Sequence, residues 1–126
     1  MSYRSFYLTI LIALSFISAQ NVFQPQTTAE LQTAVDLWTC SYNDDSCDND
    51  SALATYGDIN TWDVSLITSM SGLFDSKTTF NDDISSWDVS NVTSMQRMFQ
   101  GAWVFNQDIS SWDVSNVTNM VRVFVD

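Results

Sequence analysis

The sequence predicts an α/β repeat solenoid, with coils of one short strand plus one short helix, preceded by a capping helix. Three observations predict it. The word Ser-Ser-Trp-Asp-Val-Ser-Asn-Val-Thr is written at 85–93 and again at 110–118, with a worn copy at 60–68. Trp62, Trp87 and Trp112 recur at intervals of 25 residues, as do Ile59, Ile84 and Ile109, and Phe74, Phe99 and Phe124. Residues 80–100 and 105–125 agree at 16 of 21 positions. A repeat of this period is the mark of stacked coils, because one coil alone cannot bury its apolar edge.

Before the repeats, Arg4 lies in a short positive start and Phe6 to Ile17 is nearly all apolar, with Ile17-Ser18-Ala19 offering a small-residue cleavage site. That is the layout of a secretory signal peptide over 1–19. The apolar run is shorter than the roughly 20 residues a bilayer span takes. An uncleaved signal anchor is the alternative; otherwise no membrane insertion is expected after cleavage, and the product is secreted or at the cell surface.

Residues 20–55 form the expected N-terminal cap. Thr27-Thr28-Ala29-Glu30 reads as a capping box with Thr27 as N-cap. Leu31, Ala34, Val35 and Trp38 then follow at i, i+3, i+4 and i+7, predicting a helix over about 28–39 that covers the first coil. Cys40 and Cys47 close an eight-residue loop in a chain read as secreted, so a local disulfide is expected. A zinc site is disfavoured by the spacing and by the absence of histidine. Around them the chain reads as an irregular acidic loop. Asp44, Ser46, Asp48 and Asp50 loosely suggest a calcium loop, but Asn49 stands where the required glycine would be and Thr55 where the bidentate glutamate would be.

Residues 56–126 hold about three repeats, the last incomplete. In the middle one, Ile84, Trp87, Val89 and Val92 occupy the apolar places of an L-x-x-L-x-L-x-x-N frame, the pattern of leucine-rich repeats. Ser86 to Ser90 alternates polar and apolar, predicting a strand with Trp87 and Val89 inward. Thr93-Ser94-Met95-Gln96 offers a second capping box, and Met95, Met98 and Phe99 predict one or two helical turns. The core ladder is therefore Trp62, Trp87 and Trp112, each worth roughly 4–6 kcal/mol of gross apolar burial before ordering entropy.

The phrase FN-x-D-I-S-S-W-D-V-S-N-V-T-x-M-x-x-M-F resembles the unit of BspA-like leucine-rich-repeat surface proteins, a repeat first catalogued as a Mycoplasma protein of unknown function. The resemblance covers about 56–126, and the stretches 30–38 and 56–62 look like that family's lead-in. It implies an extracellular or cell-surface module used in adhesion or recognition, and it brings no catalytic residues. The first unit departs from the pattern, with Leu66-Ile67 for Asn-Val and Tyr56-Gly57 for Phe-Asn, as an end coil would. Because the chain stops in mid-unit, a truncated relic of a longer repeat protein is a further expectation.

Charge narrows the partners. Beyond the signal, Lys77, Arg97 and Arg122 face 15 acidic residues, a formal charge of −12. No nucleic acid is expected, since phosphate neutralisation needs clustered Lys and Arg. The outward positions Thr61/Asp63/Ser65, Ser86/Asp88/Ser90 and Ser111/Asp113/Ser115 would form columns of hydroxyls flanking carboxylates. At a spacing near 4.8 Å, neighbouring carboxylates repel by roughly 0.9 kcal/mol in water and 3.5 kcal/mol at an effective dielectric of 20. Either hydroxyl hydrogen bonds or weak Ca²⁺ binding at Asp63, Asp88 and Asp113 would offset this; no other cofactor is expected. Asn49, Asn91 and Asn116 head N-x-Ser/Thr sequons and are glycosylation candidates in a eukaryotic host.

No enzyme is expected: every acidic pair is a product of the repeat, and the serines lack a histidine base. The sequence thus points to a binding or adhesion module for an extracellular protein or glycan. The alternative is a self-assembling matrix or wall component that associates end to end.

Overall fold

The computed structural model describes residues 21–39 and 49–125. The signal segment and both Cys40 and Cys47 lie outside the described residues.

Helix α1 spans Thr28–Trp38, with Thr27 as N-cap accepting from the Glu30 amide. Glu30 reaches back to the amide of Gln26, one residue earlier than a standard capping box. Leu31, Ala34, Val35 and Trp38 are its buried stripe. Helix α2, Asn49–Tyr56, lies where an irregular loop was expected. Only Ala52 on it is fully buried, which explains why its sequence shows no helical periodicity. A 3₁₀ turn, Ile59–Thr61, leads into the repeats, N-capped by Asp58.

The three units at 56–79, 80–104 and 105–125 lie one upon the next, but not as an α/β solenoid. Among the described residues both α-helices precede the repeats. The units hold no strand and no sheet, only the isolated parallel bridges Ser69–Ser94 and Ser94–Asn119. The predicted strand at Ser86–Ser90 is an extended piece flanked by turns. The alternation still sorts its side chains, because Trp87 and Val89 are buried and Asp88 is exposed. It has no ladder because the contacts between units there are made by side chains.

The predicted helix after Thr93 fails for a definite reason. The amides of Met95, Arg97, Phe99 and Gly101 donate to the carbonyls of Asn119, Val121, Val123 and Val125 in the next unit, at 2.9–3.0 Å. Those amides are therefore not available to carbonyls four residues back. Arg97 and Gly101 are left-handed, at φ 57° and 68°, as are Gly72 and Ser76 one unit earlier. A left-handed residue breaks the run that would align successive N–H groups along a helix axis, which leaves these amides free to face the neighbouring unit. The first unit does the same: Met70, Gly72, Phe74 and Ser76 donate to Ser94, Gln96, Met98 and Gln100. Thr93, the supposed cap, instead donates its hydroxyl to the Thr68 carbonyl.

The apolar interior joins α1 to all three units in one cluster. Trp62 and Trp87 stack at 6.3 Å and 17°. Trp112, also buried, meets Phe99 at 6.4 Å. A second column runs Phe74, Phe99 and Phe124, successive rings 5.4 and 5.3 Å apart and parallel within 2°. Phe80 and Phe105 stack against it from the side.

Candidate functional site

Each repeat turns two aspartates onto its own backbone. Asp58, Asp83 and Asp108 accept from the amides two residues on, Asn60, Ser85 and Ser110, at 2.9–3.2 Å. Asp63, Asp88 and Asp113 do the same to Ser65, Ser90 and Ser115, each at 3.0 Å. A short polar side chain that bonds the amide two residues ahead closes an Asx turn, which is why Asp recurs at these places.

These bonds set the electrostatics. The hydroxyl and amide of Ser90 hold the Asp88 carboxyl below its ordinary range, against weaker upward pushes from burial and from the Asp63 and Asp113 charges. Ser65 lowers Asp63 in the same way, with help from Gln24. Ser115 lowers Asp113, Ser110 lowers Asp108, and the Ser85 amide leads the lowering of Asp83. Serine hydrogen bonds thus lower these carboxyls, against the upward push of neighbouring aspartates at Asp83 and Asp88. Among the described residues no three acidic, cysteine or histidine side chains converge as metal ligands.

The sequon side chains sit between layers. Asn91 donates its amide to the Ser65 carbonyl at 2.8 Å, and Asn116 to the Ser90 carbonyl at 2.7 Å. Asn49, the first residue of α2, donates to the Trp38 carbonyl at 3.0 Å. The indoles do likewise: Trp87 Nε1 donates to Ile59 and Trp112 Nε1 to Ile84. The repeated Ser, Trp, Asn and Thr of the sequence word are therefore mainly the donors that join one unit to the one before.

The two ends of the stack differ. At the start, α1 lies on the first unit. Its Thr28 hydroxyl donates to the Ser69 carbonyl and its Gln32 amide to Leu73, at 3.0 and 3.2 Å. These stand in for the main-chain donors that a preceding unit would supply. Lys77 pairs with Asp36 at 2.8 Å, and Trp38 Nε1 donates to Asp82. At the other end Val114, Met120, Val121, Phe124 and Val125 are exposed. A depression of about 290 Å³ there is lined by Phe99, Trp112, Val114, Met120 and Phe124 among others.

Trp103, 69 % exposed, is a surface aromatic that sequence reasoning did not single out. Its signal was a break in the pattern, since Thr78 holds that place one unit earlier. Another depression, about 440 Å³, lies between residues 21–23 and the end of α2 and holds no acid or base besides the Tyr56 phenol. None of the described helices is long and apolar enough to cross a membrane.

Fold and surface together define a short repeat protein whose polar side chains serve turn closure and layer joining. The chain belongs to the family described as Mycoplasma protein of unknown function, DUF285, whose model matches residues 44–126. No curated protein and no solved structure matches it.

Proposed function

We propose that the protein is an extracellular recognition module, of the BspA-like surface-protein kind, binding a protein or glycan through its row of aspartates and hydroxyls. The observation that carries this reading is the repeated geometry of Asp63, Asp88 and Asp113, each accepting from the amide of its own serine at 3.0 Å. Each is held by its own serine with its pKa lowered. A carboxylate held ionised suits the binding of a cationic or hydroxyl-rich surface; an acid catalyst needs the opposite shift. Thr61, Ser65, Ser86, Ser90, Ser111 and Ser115 flank these carboxylates with hydroxyl oxygens that remain acceptors while their protons go to carbonyls or to the aspartates themselves. The apolar start of the sequence supports secretion, and exposed Trp103 adds an aromatic surface of the type found at recognition hot spots.

The test is to immobilise the secreted protein and screen an array of extracellular glycans and proteins, comparing it with an Asp63→Asn/Asp88→Asn/Asp113→Asn variant. Asparagine keeps the acceptor that closes each turn and removes only the charge. A ligand bound by the native protein and lost by a folded variant supports the reading. Equal binding by both, or no ligand at all, refutes it.

A further inference from the structure

We infer that the shallow depression between the first two units, where Gly72 lies beside Arg97, binds a carboxylate-bearing sugar residue of a glycan. It measures about 310 Å³ and is lined by Ser71, Gly72, Asp75, Gln96 and Arg97. Gly72, Arg97 and Arg122 share one position of the repeat, and all three are left-handed, at φ 69°, 57° and 57°. The hollow exists because the first unit has glycine there. A Cβ at Gly72 would meet nothing within 4 Å.

Arginine is a poor fit to that backbone, because a side chain disfavours the left-handed region and glycine carries no such penalty. Yet both arginines beyond residue 20 stand at this position. Neither guanidinium has a hydrogen-bond or ion-pair partner among the described residues, whereas Lys77 is paired with Asp36. A strained residue that serves no contact of the fold points to a ligand.

The other walls select the ligand. A guanidinium matches a carboxylate with two parallel hydrogen bonds. Asp75 accepts from the Ser76 hydroxyl through Oδ1 at 2.9 Å, which leaves Oδ2 to accept from a ligand hydroxyl. Its charge repels a dianionic phosphate more than a singly charged sugar acid. Gln96 Oε1 accepts from Asn119 at 3.4 Å, and its Nε2 has no partner among the described residues. The Ser71 and Ser94 hydroxyls are 2.8 Å apart, and whichever donates, the other keeps a proton for a ligand. One cation among hydroxyl, amide and carboxylate groups suits a sugar acid better than an acidic peptide, because sugar hydroxyls both donate and accept. Equivalent phenylalanine rings of successive layers are 5.4 and 5.3 Å apart, a spacing comparable with one residue of an extended glycan. Arg122 would then meet the next acidic sugar of the same chain. The depression shares no residue with the row of Asp63, Asp88 and Asp113, so the two sites are tested separately.

The experiment titrates the isotope-labelled full chain with a galacturonic-acid trisaccharide, its methyl ester, a triglutamate peptide and inorganic phosphate. The amide resonances of Gly72, Gln96 and Arg97 report binding. The trisaccharide should shift them saturably, and both the methyl ester and the Arg97→Gly variant should bind about tenfold more weakly or worse. Arg97→Gly should keep or raise the urea midpoint, so its lost binding is not lost folding. Absence of a saturable shift overturns the proposal. Equal binding of the ester, or undiminished binding by Arg97→Gly, does so too. Triglutamate or phosphate binding as tightly as the trisaccharide makes the hollow a general anion site and refutes the assignment to a sugar acid.

Discussion

Phe74, Phe99 and Phe124 occupy one position in the repeat, yet truncating each to alanine should cost very different amounts. Phe99 is 3 % exposed and meets Phe74, Phe105, Trp112 and Phe124 at 5.4, 4.2, 6.4 and 5.3 Å. Removing a phenyl ring from such a site leaves a cavity walled by rigid rings, and costs about 3–5 kcal/mol. Phe74, fully buried against Phe80, Trp87 and Phe99, should fall in the same range. Phe124 is 63 % exposed, and its one ring contact is Phe99. With about a third of its surface covered it gains roughly 0.5–1 kcal/mol from burial, and one ring pair adds about 0.5–1.5 kcal/mol. Its truncation should therefore cost only about 1–2 kcal/mol. Urea unfolding followed by tryptophan fluorescence reads the contrast. With a slope near 2 kcal/mol per molar, the midpoint should fall by about 2 M for Phe99→Ala and by about 0.5–1 M for Phe124→Ala. Equal losses at Phe99 and Phe124 would refute the layered interior, since only stacking distinguishes identical sequence positions.

Four further outcomes are expected. Because Asp63, Asp83, Asp88, Asp108 and Asp113 all lie below the ordinary value of about 3.8 in the fold, their contribution is complete above that value. It is lost as pH falls through the lower folded values. Thermal melts should thus be flat near neutrality and drop below about pH 4, with a shallower drop in Asp88→Asn. Arg97 sits at φ 57° where the first unit has Gly72 at 69°. Arg97→Gly removes a left-handed penalty of about 1–2 kcal/mol and adds about 0.5–1 kcal/mol of chain entropy, so the urea midpoint should rise slightly. Gly101→Ala should lower it, because its Cβ would meet the Ser76 Cα at 3.4 Å with φ at +68°. Replacing Thr28 by Val and Gln32 by Met removes both side-chain donors onto the first unit, and should cost about 1–3 kcal/mol in the same assay.

Particular residues show what the sequence revealed and where it stopped. The 25-residue spacing of Trp, Ile, Met and Phe identified most of the core, because a position that must bury its side chain in every layer has to repeat an apolar residue. Trp87 and Val89 point inward as alternation demands. Helix α1 was visible because its apolar stripe packs on one side, whereas α2 was hidden because it buries only Ala52. The Asp–Ser pairs were legible as recurring polar positions, and which amide and hydroxyl each aspartate holds needed the structure.

The sequence by itself determined that the molecule repeats, most of the side chains that fill its interior and that the chain is acidic. Only the tertiary structure decided that the units are built without a strand or an α-helical return. Periodicity reports which side chains are buried and is silent on where the backbone N–H groups point. The amides of Met95, Arg97, Phe99 and Gly101 bond to residues some 24 positions on, and that choice rests on left-handed residues at Arg97 and Gly101 that only the packed neighbour makes favourable.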